Sequence, residues 1–198
     1  MKKIVLFILL SIFICASIFS SEFRSVDTRL RPAVKTLLAF PKAQDVLDEV
    51  QANGKRIRVK MHPFTVSTSN AMWSPVRGSI ILNSLRKRSE GEIVRSILFE
   101  MHNAKNQKKF THFEQLARKG LIDQASYVRE IERIEHTNAM ETMALLNEAI
   151  SKGYYPQTSY WQICPDFEKH FQLQQQVGHS QFIAKMYKGL SPASSRNT

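Results

Sequence analysis

Ser89 and Glu92 stand three residues apart directly ahead of a run of helically spaced apolar residues. No other feature constrains the fold of this chain as much. The spacing is that of a capping box, in which each side chain satisfies a backbone N–H left open in the first helical turn. Ile93, Ile97, Met101 and Ala104 then recur on one face, which predicts a helix from Ser89 to Ala104. Ser96, Glu100 and Asn103 recur at intervals of four and three, giving a polar strip beside the apolar one. A carboxylate at the edge of a core is costly to desolvate, so Glu100 needs a partner or a chemical task. Upstream, Ser79 to Leu82 reads as a short apolar strand joined to the helix by the basic connector Leu85 to Arg88.

A second helix repeats the theme. Asp123 opens a pattern that runs to about Ser151, with Tyr127, Ile131, Ile134, Leu145 and Leu146 as its stripe. Glu135, Asn138 and Thr142 fall inside that stripe at three-and-four spacing, so two helices each carry a carboxylate and an asparagine inside an apolar face. The first of them bears Phe99-Glu100-Met101-His102-Asn103, and with the preceding strand it resembles the strand and active-site helix of the zincin metallopeptidases, whose helix carries His-Glu-x-x-His. It is also similar to bacterial domains described as metallopeptidase-like. The resemblance covers roughly residues 55–150. Glu100 matches the glutamate that polarises water, while Phe99 and Asn103 stand where the two zinc-binding histidines belong.

The resemblance implies a scaffold without ordinary zinc peptidase chemistry, since phenylalanine cannot ligate zinc and asparagine is a weak oxygen ligand. No cofactor is expected, and zinc least of all in its usual place. Were a metal held, the resemblance draws its third ligand from a later helix, which makes Glu135 the first candidate and Glu132 the next, with His179 as a nitrogen donor. His102 is poorly placed for that role, being about 200° around the helix from Glu100, and His179, alone at a helix start, reads first as structural. A helical bundle with a bridged metal pair would want Glu-x-x-His twice; Glu100-x-x-Asn103 and Glu132-x-x-Glu135 both fail it. Gly-x-Ser-x-Gly is absent, and Cys164 has no evident paired histidine.

The strand before the motif helix, Ser79 to Leu82, is expected to be the sheet edge to which an extended peptide would add, although an ordinary strand is the plainer reading. Ile57 and Val59 alternate with Arg56, Arg58 and Lys60 as a second strand, and Phe64, Val66 and Thr68 suggest a third. Ser69 to Pro75 reads as a loop, Ser20 to Ser25 as an exposed segment, and Lys105 to Lys109 as a polar exit from the motif helix. Two packing helices, from Val26 to Leu38 and from Lys42 to Ala52, precede the strands. The aromatic loop Tyr154 to Trp161 reads as core cover ahead of pocket lining.

Met1-Lys2-Lys3 followed by the apolar run Ile4 to Phe19 has the form of a secretory signal. The expected organisation is a signal peptide or N-terminal membrane anchor at 1–20, one zincin-like domain at 21–190 and a disordered tail at 191–198. Export to the periplasm or beyond follows, with inner-membrane anchoring if the signal stays. Without Lys2 and Lys3 the formal charge falls from +11 to +9 and still favours anionic envelope surfaces. Short basic clusters without a nucleic-acid motif argue against nucleic acid. The fold expected is mainly helical α+β, with a sheet of about three strands on the motif helix and a long second helix. The function expected is a catalytically inactive, metallopeptidase-like protein with a binding or structural role toward a protein or peptide. A divergent metal-dependent hydrolase using Glu100 with non-standard ligands stays open beside it.

Overall fold

The computed structural model describes residues 23–54, 56–63 and 70–190. The expected signal or anchor, the Phe64 to Thr68 strand and the 191–198 tail lie outside them. Among the described residues no helix is long and apolar enough to cross a membrane.

The chain is mainly helical with one small mixed sheet. Strand β1 (Ser25–Val26) leads through a 3-10 turn into α1 (Arg31–Leu38) and α2 (Pro41–Ala52). Strands β2 (Arg58–His62), β3 (Ala71–Ser74) and β4 (Ser79–Asn83) follow. The sheet order is β1-β2-β4-β3, with β1, β2 and β4 parallel and β3 antiparallel to β4. The rest is helical: α3 (Glu90–Lys105), α4 (Gln107–Arg118), α5 (Gln124–Ser151), α6 (Phe167–Gln176) and α7 (His179–Leu190).

Local chemistry accounts for the helix ends. Ser89 Oγ accepts from Glu92 N while Glu92 Oε2 accepts from Ser89 N at 2.8 Å, so the capping box at α3 is complete. Asp123 caps α5 through Ser126 N, and Pro32 and Pro41 sit in first turns, where a missing N–H costs nothing. Gly54 ends α2 at φ 78°, a left-handed conformation that side chains resist.

Five expectations need correction, the first being the helix expected from Val26, which starts only at Arg31 because Val26 pairs in β1 and Thr28–Leu30 form the 3-10 turn. Ser79 to Leu82 is not the edge: β4 lies between β2 and β3, and all five of its residues are buried. Among the described residues the edge strands are β1 and β3, the latter in the stretch expected to be a loop. A strand that short, with partly buried residues along it, shows no alternation. The segment expected to be exposed contributes buried Phe23 and the start of β1. The polar exit after α3 is already helix α4 from Gln107, because buried Asn106 turns the chain while donating to His102 O at 3.3 Å.

Two apolar clusters hold these elements. The larger joins α1, α2, β2 and β4 to the inner face of α3, where Val94, Ile97, Leu98 and Met101 are fully buried. Each such side chain contributes about 1.5–3 kcal/mol of hydrophobic stabilisation. The smaller gathers Ala117, Tyr127, Val128, Ile131 and Ile183 from α4, α5 and α7. Helix α5 serves both, through Leu146 at one end and Tyr127 at the other.

Candidate functional site

Residues of both clusters border a cleft of about 440 Å³, with β3 and α3 on one side and α5 and α7 on the other. Glu100 projects from α3 and is 5 % exposed. Its Oε2 accepts from the backbone N–H of Trp73 at 2.8 Å and from Asn103 Nδ2 at 3.0 Å. In an antiparallel pair alternate backbone groups face away from the neighbouring strand. The Trp73 N–H is such a group, so the sheet edge and the motif glutamate are joined directly.

Behind Glu100 the polar strips of the two helices interlock. Asn103 Oδ1 accepts from Asn138 Nδ2 at 2.8 Å, and Asn138 Oδ1 accepts from Asn106 Nδ2 at 2.7 Å. This buried chain keeps each amide hydrogen-bonded and sets α3 against α5 in one register. Asn106 was not singled out in the sequence, where it reads only as a helix end. Thr142, grouped with this strip, is fully buried and donates to Asn138 O of its own helix at 2.7 Å; it does not border the cleft. Ser96 does border it, though its hydroxyl donates to Glu92 O at 2.8 Å.

On the opposite wall Glu132, Glu135 and His179 come together. His179 Nδ1 lies 3.1 Å from Glu132 Oε1, and His179 Nε2 lies 3.5 Å from Glu135 Oε2. Ser180 donates to the same Glu132 oxygen at 2.7 Å. His179 is thus a cleft residue as well as the first residue of α7. The structural role alone, which a lone helix-start histidine suggests, is too narrow.

The electrostatics follow from burial and proximity. Burial pushes the Glu100 carboxyl up to about 7 despite the Asn103 hydrogen bond, and Glu135 adds to the rise. Burial also raises Glu135 to about 7 against the pull of His179. For His179, burial opposes the charged ring, but Glu132, Glu135 and Glu100 outweigh it and raise the imidazole to about 9. At neutral pH His179 is therefore a cation held between Glu132 and Glu135.

The positions matched to zinc ligands do not fit that metal. Phe99 packs edge-on against Trp161 with ring centroids 5.4 Å apart, and the Asn103 amide is committed to Glu100 and Asn138. Glu132, Glu135 and His179 offer donor atoms within 4.8 Å of one another, a different set that already holds the His179 proton. Two other histidines serve elsewhere: His102 lies 3.0 Å from Glu141 Oε2, and His136 Nε2 is 2.8 Å from Cys164 O.

The aromatic loop divides its roles. Tyr155 is buried and donates to Leu37 O at 2.8 Å, whereas Trp161 borders the cleft. Arg95 Nη1 donates to Tyr160 O at 2.8 Å, and the guanidinium carbon lies 5.9 Å from the Trp161 ring centroid. No family model, curated protein or solved structure matches this chain.

Proposed function

We propose that the chain is an exported, zincin-like peptide-binding protein that has lost zinc peptidase chemistry, and that an extended peptide docks along the outer edge of β3. The observation that carries this reading is the Trp73 N–H, which faces the cleft and is held by Glu100. A peptide carbonyl would take that N–H in exchange for the carboxylate, adding a strand to the sheet as edge strands permit. In the zincin resemblance the motif helix lies below such an edge. On this reading β3 would take that place, and the two positions matched to metal ligands carry an aromatic ring and a committed amide. Export rests on the Met1 to Phe19 pattern.

The test is a titration with short extended peptides, followed by backbone NMR shifts of β3 and by mass spectrometry for cleavage. Binding that moves the amides of residues 71–74 and leaves the peptides intact is the expected result. Shifts confined to surfaces away from β3 would end the reading.

One observation favours a second reading, the divergent hydrolase: Glu132, Glu135 and His179 lie close enough to hold one divalent ion, with Glu100 across the same cleft. Such an ion would have to displace the His179 proton, so this reading ranks second. Metal-dependent cleavage of any peptide in the same assay would reverse the order.

A further inference from the structure

The charge of the cleft opposes that of the chain. The sequence carries a formal +11, yet the cleft wall presents Glu100 and Arg95 from α3, Glu114 from α4, Glu132 and Glu135 from α5, His170 from α6 and His179 from α7, with no charged residue from β3. Burial, with His136 beside it, holds His170 below the usual histidine range, so it is neutral at pH 7. Four carboxyl groups therefore face two cations. Both cations are engaged: Arg95 with Tyr160 O and the Trp161 ring, His179 with Glu132 and Glu135.

Glu100 is left over. Its Oε2 holds the two hydrogen bonds described, whereas its Oε1 has no donor among the described residues and Glu100 makes no ion pair there. A nine-tenths buried carboxyl group with one unpartnered oxygen, bordering a cleft, calls for a cationic or donor guest. The walls supply the rest of the fit. Both tryptophans of the chain, Trp73 and Trp161, border the cleft with Phe99 and Phe182. Such rings cover methylene groups and attract ammonium or guanidinium ions through their faces.

We infer that the cleft receives the side chain of a lysine or arginine, with its charged head at Glu100 and Glu135 and its stem against Trp73 and Trp161. The inference deepens the peptide-docking reading, since a peptide laid on β3 directs alternate side chains to one face and one of them enters the cleft. An acidic side chain is repelled by the same carboxylates, and an aliphatic one leaves Glu100 desolvated without a partner.

Calorimetric titration of the purified full-length chain with peptides that differ only in one central residue tests this. Lysine and arginine peptides are expected to bind about tenfold more tightly than the norleucine peptide, with the glutamate peptide weakest. Glu100→Gln and Glu135→Gln each keep the side-chain shape and are expected to shrink that preference, with circular dichroism confirming the fold of both. Equal affinity for lysine, arginine and norleucine peptides overturns the cation inference while peptide docking stands. If no peptide binds, n-butylammonium, read by the fluorescence of Trp73 and Trp161, separates the two ideas: binding that Glu100→Gln weakens keeps the cation site without peptide docking, and no binding ends both.

Discussion

The imidazole of His179 lies 3.1 Å from Glu132, whose carboxylate is 1 % exposed. That pair ties the start of α7 to the middle of α5. Its energetics depend on pH, because His179 is raised from 6.5 to about 9 in the folded chain. The folded state keeps a proton that the unfolded state releases, so the stabilisation is complete below about pH 6.5 and is lost as pH rises through about 9. Urea unfolding is expected to give a stability that declines across this window, and His179→Gln is expected to flatten the decline. An NMR titration in which the His179 ring loses its proton near 6.5 would contradict the assignment.

Glu100 carries the opposite charge with the same sign of linkage. Raised from 4.5 to about 7 by burial, its carboxyl group favours the folded state when protonated, and that advantage disappears as pH rises from 4.5 through 7. Glu100→Gln retains an acceptor for Trp73 N–H and Asn103 Nδ2 and sheds the buried charge. It should be near neutral at acidic pH and gain on the native protein as pH approaches 7 and beyond. Glu100→Ala leaves both donors unpaired and is expected to cost about 1–3 kcal/mol. Equal destabilisation by the two substitutions across pH 5–8 would mean that the ionised carboxylate itself is required.

The parts of the fold that rest on local chemistry were legible in the sequence. The Ser89-Glu92 cap and the Asp123 cap are decided within a few residues, and they open α3 and α5 as expected. Strand order is not decided locally. Even so, the unbroken run of Ser79 to Leu82 is what a central strand covered on both faces presents, and in hindsight it argues against an edge. Candidate residues on α3 and α5 were found because helical spacing aligns them. Their cation was harder to find, since His179 reaches Glu132 across 47 positions of chain and Lys or Arg was the more natural partner to seek. Trp73 was invisible as a site residue because its role rests on a backbone N–H, which any residue type supplies.

Gly91 offers a test of how α3 is held under the aromatic loop. A Cβ there would come within 2.4 Å of Ser159 N and of Thr158 Oγ1, so the first turn of α3 packs directly on the 3-10 turn Gln157–Ser159. Helix propensity favours alanine over glycine by about 1 kcal/mol. The clash is with backbone, however, and overpacking of this kind costs about 1–3 kcal/mol. Gly91→Ala is therefore expected to destabilise despite its better propensity, and to perturb Trp161 fluorescence because Trp161 follows that turn. A variant more stable than the native chain in thermal unfolding would show that the loop yields freely.

Phe99 and Asn103 lie one helical turn apart on α3, and the zincin-like reading proposed above can be tested by placing histidines at both positions. Neither side chain is idle: Phe99 meets Trp161 edge-on, a contact worth about 0.5–1.5 kcal/mol, and Asn103 links Glu100 to Asn138. The unmodified protein is expected to carry no stoichiometric zinc after dialysis, because the cluster of donors found among the described residues, Glu132, Glu135 and His179, holds a proton up to about pH 9. The double substitution Phe99→His with Asn103→His supplies two imidazoles at the i, i+4 spacing that binds one ion from one helix face, opposite the carboxylates of α5. It should lose some stability without metal and recover it when zinc is added, with near-unit zinc by metal analysis. Each single substitution lacks the pair and should bind far more weakly. A folded double variant that takes up no zinc would mean that α5 does not stand where the zincin resemblance requires. Near-unit zinc in the unmodified chain would instead make Glu132, Glu135 and His179 a metal site and move the hydrolase reading to first place.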